Sequence, residues 1–147
     1  MSRNVLIVED GYLFARFCGS LLRPLDCDVV HVRTKTDALR LLERERPDLI
    51  VMGLHFPDGS GIDAIRVIRS RAALRDTPII AMTMHVVSTD EAKMKDAGCT
   101  ALVERPLRVD EFTALAQRYI DQPAAGRAPE NATKVWAGIQ TDLSAAF

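Results

Sequence analysis

Asp48-Leu49-Ile50-Val51-Met52-Gly53-Leu54-His55-Phe56-Pro57-Asp58-Gly59-Ser60-Gly61 is an apolar run that closes in a cluster of turn residues. Leu49 to Met52 show no polar alternation, so both faces of the segment are expected to be covered, as in the central strand of a parallel sheet. Pro57, Asp58 and Gly59 then supply turn chemistry. In open α/β sheets, ligands and reacting groups gather just beyond the carboxyl ends of the strands. That rule makes Gly53 to Pro57 the functional address. Gly53 stands there without a side chain, where a reactive group is expected.

Outward from this stretch the same pattern repeats. Val5-Leu6-Ile7-Val8 is a first strand ending at Glu9-Asp10, and Val29, Val30 and Val32 mark a shorter second one. Pro78 to Thr83 is a fourth strand, and Ala101-Leu102-Val103, ending at Glu104-Arg105-Pro106, is a fifth. Helical spacing fills the gaps. Leu13, Phe17 and Leu21, with Phe14, Cys18 and Leu22 beside them, recur at helical spacing and mark an amphipathic first helix that stops near Pro24. A second helix opens at Thr36-Asp37, buries Ala38, Leu39, Leu41 and Leu42, leaves Glu43 to Arg46 in water, and ends at Pro47.

The third helix carries Ile62, Ile65, Val67 and Ile68 inward and Arg66, Arg69 and Arg71 outward. The fourth is capped at Ser88 and stops at Gly98. The fifth runs from Val109 to Ile120 on Phe112, Leu115, Ala116 and Tyr119. Five strands alternating with five helices imply an α/β fold with a doubly wound parallel sheet. The domain is expected to span residues 1–121. A Pro/Ala/Gly linker and a short tail with a weak helical pattern, including Trp136, fill 122–147.

With 48% hydrophobic and 27% charged residues, the 147-residue chain has the composition of a soluble globular domain. A net charge of −1 and the lack of a basic recognition helix argue against nucleic acid. No apolar run is long enough to span a membrane, and the N-terminus lacks signal-peptide anatomy, so a cytoplasmic location is expected. Cys18, Cys27 and Cys99 lack C-x-x-C spacing and read as reduced, buried hydrophobes.

The strand ends would bring Glu9, Asp10, Gly53, Thr83 and Arg105 to one crevice. From Asn4 to Ile120 the chain resembles the receiver domain of two-component response regulators, carried by Val5-Leu6-Ile7-Val8-Glu9-Asp10, Pro57-Asp58-Gly59-Ser60-Gly61 and Gly98-Cys99 in the family's order. The resemblance implies a flavodoxin-like (βα)5 fold with strand order 2-1-3-4-5. Glu9 and Asp10 match the acidic pair that holds Mg²⁺, and His55 matches the residue whose backbone carbonyl joins them. Thr83 matches the switch hydroxyl, Leu102 the aromatic switch position, and Arg105 the lysine before a proline. Gly53 falls on the phosphoacceptor aspartate.

Three matches depart from the family. Gly53 offers no nucleophile for an aspartyl-phosphate and no oxygen for the metal. Arg105 replaces a compact ammonium with a planar fork. Leu102 cannot act as a rotating aromatic. Together they read as natural loss, a pseudo-receiver. Arg105 is the expected partner of the acidic pair, in preference to Mg²⁺. Asp58 reads as a turn residue, and His55 and His85 as loop residues.

The leading expectation is a non-enzymatic signalling module that acts by phosphorylation-independent protein–protein interaction. Its partners would be a histidine kinase, a phosphotransfer protein or another signalling protein. Tyr12, Phe14 and Arg16 on the first helix are expected to be exposed for docking. Lys93, Lys95, Arg108 and Glu111 belong to the face of the fourth helix, fifth strand and fifth helix, where a homodimer would also form. The alternatives are a phosphorelay receiver with a non-standard acceptor, and a small-molecule or anion-binding domain of the same fold.

Overall fold

The computed structural model describes residues 3–83 and 88–121. The expectations for the tail, for His85 and for the side chain of Ser88 as a cap lie outside the described residues. The sheet has five strands: β1 (Arg3–Val8), β2 (Cys27–Val32), β3 (Leu49–Met52), β4 (Ile79–Thr83) and β5 (Ala101–Glu104). All pair in parallel, in the order β2-β1-β3-β4-β5. The helices are α1 (Tyr12–Leu22), α2 (Lys35–Leu41), α3 (Gly61–Ser70), α4 (Ser88–Ala97) and α5 (Val109–Ile120). This is the flavodoxin-like (βα)5 arrangement, with the strand order expected from the resemblance.

Alternation along each strand builds two cores. Leu6, Val8, Ile50 and Met52 pack against Ala38 and Leu42 after β2, against Ala64, Ile65 and Ile68 of α3, and against Met94 and Ala97 of α4. Val5, Ile7, Leu49 and Val51 pack against Ala15, Cys18 and Leu22 of α1 and Phe112, Ala116 and Ile120 of α5. Every strand crossover therefore buries one helix face, and the strand ends carrying Glu9, Gly53, Thr83 and Arg105 emerge on one edge.

Several local expectations are corrected. The second strand is as long as the first, six residues each. α1 is rotated from the periodic reading: Ala15, Arg16, Cys18, Gly19 and Leu22 are its buried residues. Leu13 is 70% exposed and Phe17 38%. Small residues let α1 lie close to the sheet, so the larger apolar stripe faces out. Arg16, expected at the surface, is only 2% exposed, with its guanidinium 5.7 Å from the Tyr12 ring centre. α2 ends at Leu41, well before Pro47, and Glu45 is buried rather than solvated. Val67 is exposed, whereas Arg69 turns inward and donates to the carbonyls of Gly98 (2.8 Å) and Leu74 (2.9 Å).

The turn after β3 is a small antiparallel hairpin, His55–Phe56 with Gly59–Ser60, around Pro57 and Asp58. Gly61 leads from it into α3 and cannot carry a side chain. A Cβ there would lie 2.1 Å from the Gly53 carbonyl oxygen, while its own N–H donates to Leu54 O at 2.9 Å. This close approach fixes the height of Gly53 at the strand end.

Asp58 ties the hairpin to α2. Its carboxylate accepts from the Thr36 hydroxyl (2.6 Å) and from the N–H groups of Thr36 (2.8 Å) and Lys35 (3.0 Å). The Thr36 bonds foremost hold its pKa down from 3.8 to about 2. A depressed folded-state pKa means that the contribution is complete above the ordinary carboxylate range and is lost as pH falls through the folded value. Asp58→Asn is expected to be less stable than wild type at neutral pH, and the gap should close between about pH 4 and pH 2. Urea melts across that range check it.

Candidate functional site

β1 delivers Glu9, and the loop into α1 gives its carboxylate an anchor. Glu9 Oε2 accepts from the Gly11 N–H at 2.7 Å. Its Oε1 pairs with Nη2 of Arg105, which follows β5. The side chains are 8% and 19% exposed respectively, so the pair is largely shielded from screening by water. The Arg105 guanidinium lies over the Phe14 ring, 3.7 Å from its centre. That geometry adds a cation–π contact from the first turn of α1. Arg105 N–H in turn donates to Thr83 O at 2.8 Å, tying β5 to β4.

Gly53 lies against this pair. Its N–H donates to Val8 O at 2.8 Å, which continues the β1–β3 ladder one step past Met52. A Cβ at Gly53 would stand 2.6 Å from Glu9 Oε1 and 3.3 Å from Val8 O. The space in which an aspartyl side chain would begin therefore belongs to the Glu9 carboxylate.

Asp10 goes elsewhere. Its carboxylate is 48% exposed and lies 4.0 Å from Arg33 Nη2, while Arg33 Nε donates to its carbonyl at 3.1 Å. The acidic pair matched in sequence is thus divided between two arginines. These residues do not fit a hard divalent cation, which needs several free oxygens around one point. Both Glu9 oxygens are engaged, and a guanidinium already supplies the positive charge. Among the described residues, no group of three or more His, Cys, Asp or Glu side chains could hold a metal ion.

Thr83 is buried at the end of β4. His55 is exposed on the hairpin. Leu102 is half-buried against the core of α2, α3 and α4. Leu102, Val103, Arg105, Leu107, Arg108 and Phe112 contribute to a groove of about 450 Å³ beside α5. Burial pushes the Cys18 thiol up to about 12, which leaves it unreactive beside Met82 Sδ at 3.9 Å.

Two contributors escaped the sequence reading. Phe14 packs under Arg105, although it was assigned to a docking surface. His31, 7% exposed, donates from Nε2 to the Glu9 carbonyl at 2.7 Å. Burial lowers its pKa and favours the neutral ring. The only signal for either was position: Phe14 sits in the first turn after β1, and His31 precedes the last residue of β2.

A family profile described as the response regulator receiver domain matches residues 5–117. The chain belongs to this family. The polar-differentiation response regulator DivK of Brucella anthropi is 30% identical over 120 residues, covering 82% of this chain and 98% of that one. The receiver domain of sensor histidine kinase PA1611 from Pseudomonas aeruginosa, solved with a magnesium ion coordinated in its active-site cleft, is 30% identical. It has a TM-score of 0.76 and covers 83% of this chain and all (100%) of that one. The chemotaxis response regulator CheY4 of Vibrio cholerae shares the fold, at 20% identity and a TM-score of 0.76, with coverages of 81% and 99%.

The sign of one substitution tests the position of Glu9. A compatible Gly→Ala change stabilises by about 0.4–1 kcal/mol through the unfolded chain. Gly53→Ala is instead expected to forfeit that gain and to fall modestly below wild type, because the methyl group pushes the Glu9 carboxylate off its contact with Arg105. Equilibrium urea unfolding reads the sign directly.

Proposed function

We propose that this receiver is a pseudo-receiver: a signalling module in a two-component or phosphorelay pathway that works by protein–protein contact without phosphorylation. The observation that carries the reading is the Glu9–Arg105 ion pair in the space next to Gly53. A receiver's phosphoryl chemistry needs a carboxylate nucleophile and a metal to offset developing charge. Here the first is absent, and of the acidic pair matched to the metal site Glu9 is held by Arg105 while Asp10 faces Arg33. Asp58 is a poor substitute acceptor, since three donors already hold its carboxylate at the start of α2.

Receiver domains bind histidine kinases and phosphotransfer proteins, and the exposed face of α1 supports such a partner here. Tyr12 (40% exposed), Leu13 and Phe17 form an outward apolar stripe, the type of surface that docks an amphipathic helix. Lys93, Lys95, Arg108 and Glu111 are exposed on the face of α4, β5 and α5, which is the proposed homodimer face. No described helix is long and apolar enough to cross a membrane, and action in the cytoplasm is part of this proposal.

Purified protein given Mg²⁺ and a small phosphodonor is expected to keep its intact mass, whereas Gly53→Asp/Arg105→Lys gains one phosphoryl group. Gly53→Asp alone is expected to lag behind the double variant, because Arg105 still holds Glu9. A phosphorylated wild type would overturn the proposal.

A further inference from the structure

Among the described residues, three of the five large hydrophobic side chains left in water are Tyr12, Leu13 and Phe17. All three lie on α1, whereas Val67 and Val109 stand singly on α3 and α5. Leu13 and Phe17 are four residues apart on one face, and half-buried Leu21 continues the row. Single exposed apolar side chains need no explanation, but a row of them along one helix marks a contact surface. The only charged residue of α1 is Arg16, and it is buried. The row is therefore an uncharged ridge.

A second row with the same spacing lies farther along the chain. Val135, Ile139 and Leu143 recur every four residues, with Trp136 beside them. Residues 130–147 lie outside the described residues, but the point from which they depart does not. α5 ends at Ile120, followed by Asp121. Ile120 shares a core with Leu22 of α1, and Leu25 and Cys27 pack against that core. Burial first, and then the charges of Asp26, Asp28 and Asp121, push the Cys27 thiol up to about 11, which places Asp121 near the start of β2. The chain thus leaves α5 beside the end of α1. Residues 122–129 span at most about 28 Å when extended. α1, with 11 residues, is about 16 Å long. The segment reaches every part of the row.

We propose that residues 130–147 form an amphipathic helix that packs Val135, Trp136, Ile139 and Leu143 along Leu13 and Phe17 of α1. Rows of residues four apart on two helices interlock as ridges and grooves, the commonest helix packing in globular proteins. The short tether makes the encounter intramolecular, at an effective concentration on the order of millimolar, which favours this segment over a second copy in dilute solution. The contact covers the α1 face proposed to dock a partner, so a partner has to displace the segment before it binds. That regulatory consequence rests on the docking proposal; the contact itself does not.

Trp136 is the only tryptophan of the chain, so fluorescence of the full-length protein reports on this segment. Its emission is expected to be blue-shifted from that of the urea-unfolded protein and unchanged on dilution. Leu13 is 70% exposed, so Leu13→Glu should keep the wild-type far-UV circular dichroism while moving the emission to the unfolded position. Phe17→Ser should move it the same way if the introduced charge proves disruptive, and Val67→Glu on α3 should leave it unchanged. The contact is refuted if wild-type emission already matches the unfolded protein or reddens on dilution. It is equally refuted if both α1 variants, folded, keep the wild-type emission, or if Val67→Glu reddens it as much as Leu13→Glu. The measurement needs no partner: refuting the contact leaves α1 open as a docking face, whereas failure of a partner to bind α1 leaves the Trp136 signal intact.

Discussion

The Glu9 carboxylate faces two donors, the N–H of Gly11 and the guanidinium of Arg105, and it lies where a side chain at residue 53 would begin. This one interaction organises the carboxyl edge of the sheet. It joins the end of β1 to the segment after β5, across β3 and β4. Because both partners are mostly withdrawn from water, removing either would leave a poorly solvated charge behind. The absence of a side chain at Gly53 is therefore part of the packing. A carboxylate there would compete with Glu9 for space and for the cation.

Arg105 contacts three elements at once: Glu9 after β1, the ring of Phe14 in α1, and Thr83 of β4 through its own backbone. In a working receiver, a phosphoryl group and a metal would contribute the charge at this edge. In the proposed pseudo-receiver that charge is internal and permanent. Conformational bias then has to come from a ligand or partner that distinguishes two states of the domain. The exposed stripe of α1 and the groove beside β5 flank the Arg105 contacts, so both candidate surfaces adjoin the same fixed pair.

The fold was largely legible because its signals are repeated. Five apolar runs, each followed by a helical period, admit few arrangements other than a covered parallel sheet. Gly61 and Asp58 were readable as turn residues, but their tasks were not: one makes room for the Gly53 carbonyl and the other caps α2. Periodicity misled in α1 because Ala15, Cys18 and Gly19 bury little area each, while Leu13 and Phe17 dominate any hydrophobic pattern. Arg16 and Glu45 were misplaced for the same kind of reason, since charge predicts exposure only on average. At the site, the residues were found by strand-end position. The division of Glu9 and Asp10 between two arginines depends on side-chain direction, which spacing does not encode.

The central claim is that Arg105 occupies the electrostatic role of the metal at Glu9. Amide resonances of Glu9, Asp10, Gly53 and Thr83, followed through a titration with millimolar Mg²⁺, test it most directly. The expected result is no saturable movement in wild type, and saturable shifts only once Gly53→Asp and Arg105→Lys are combined. Saturable Mg²⁺-dependent shifts at Glu9 and Gly53 in the wild-type protein would contradict it.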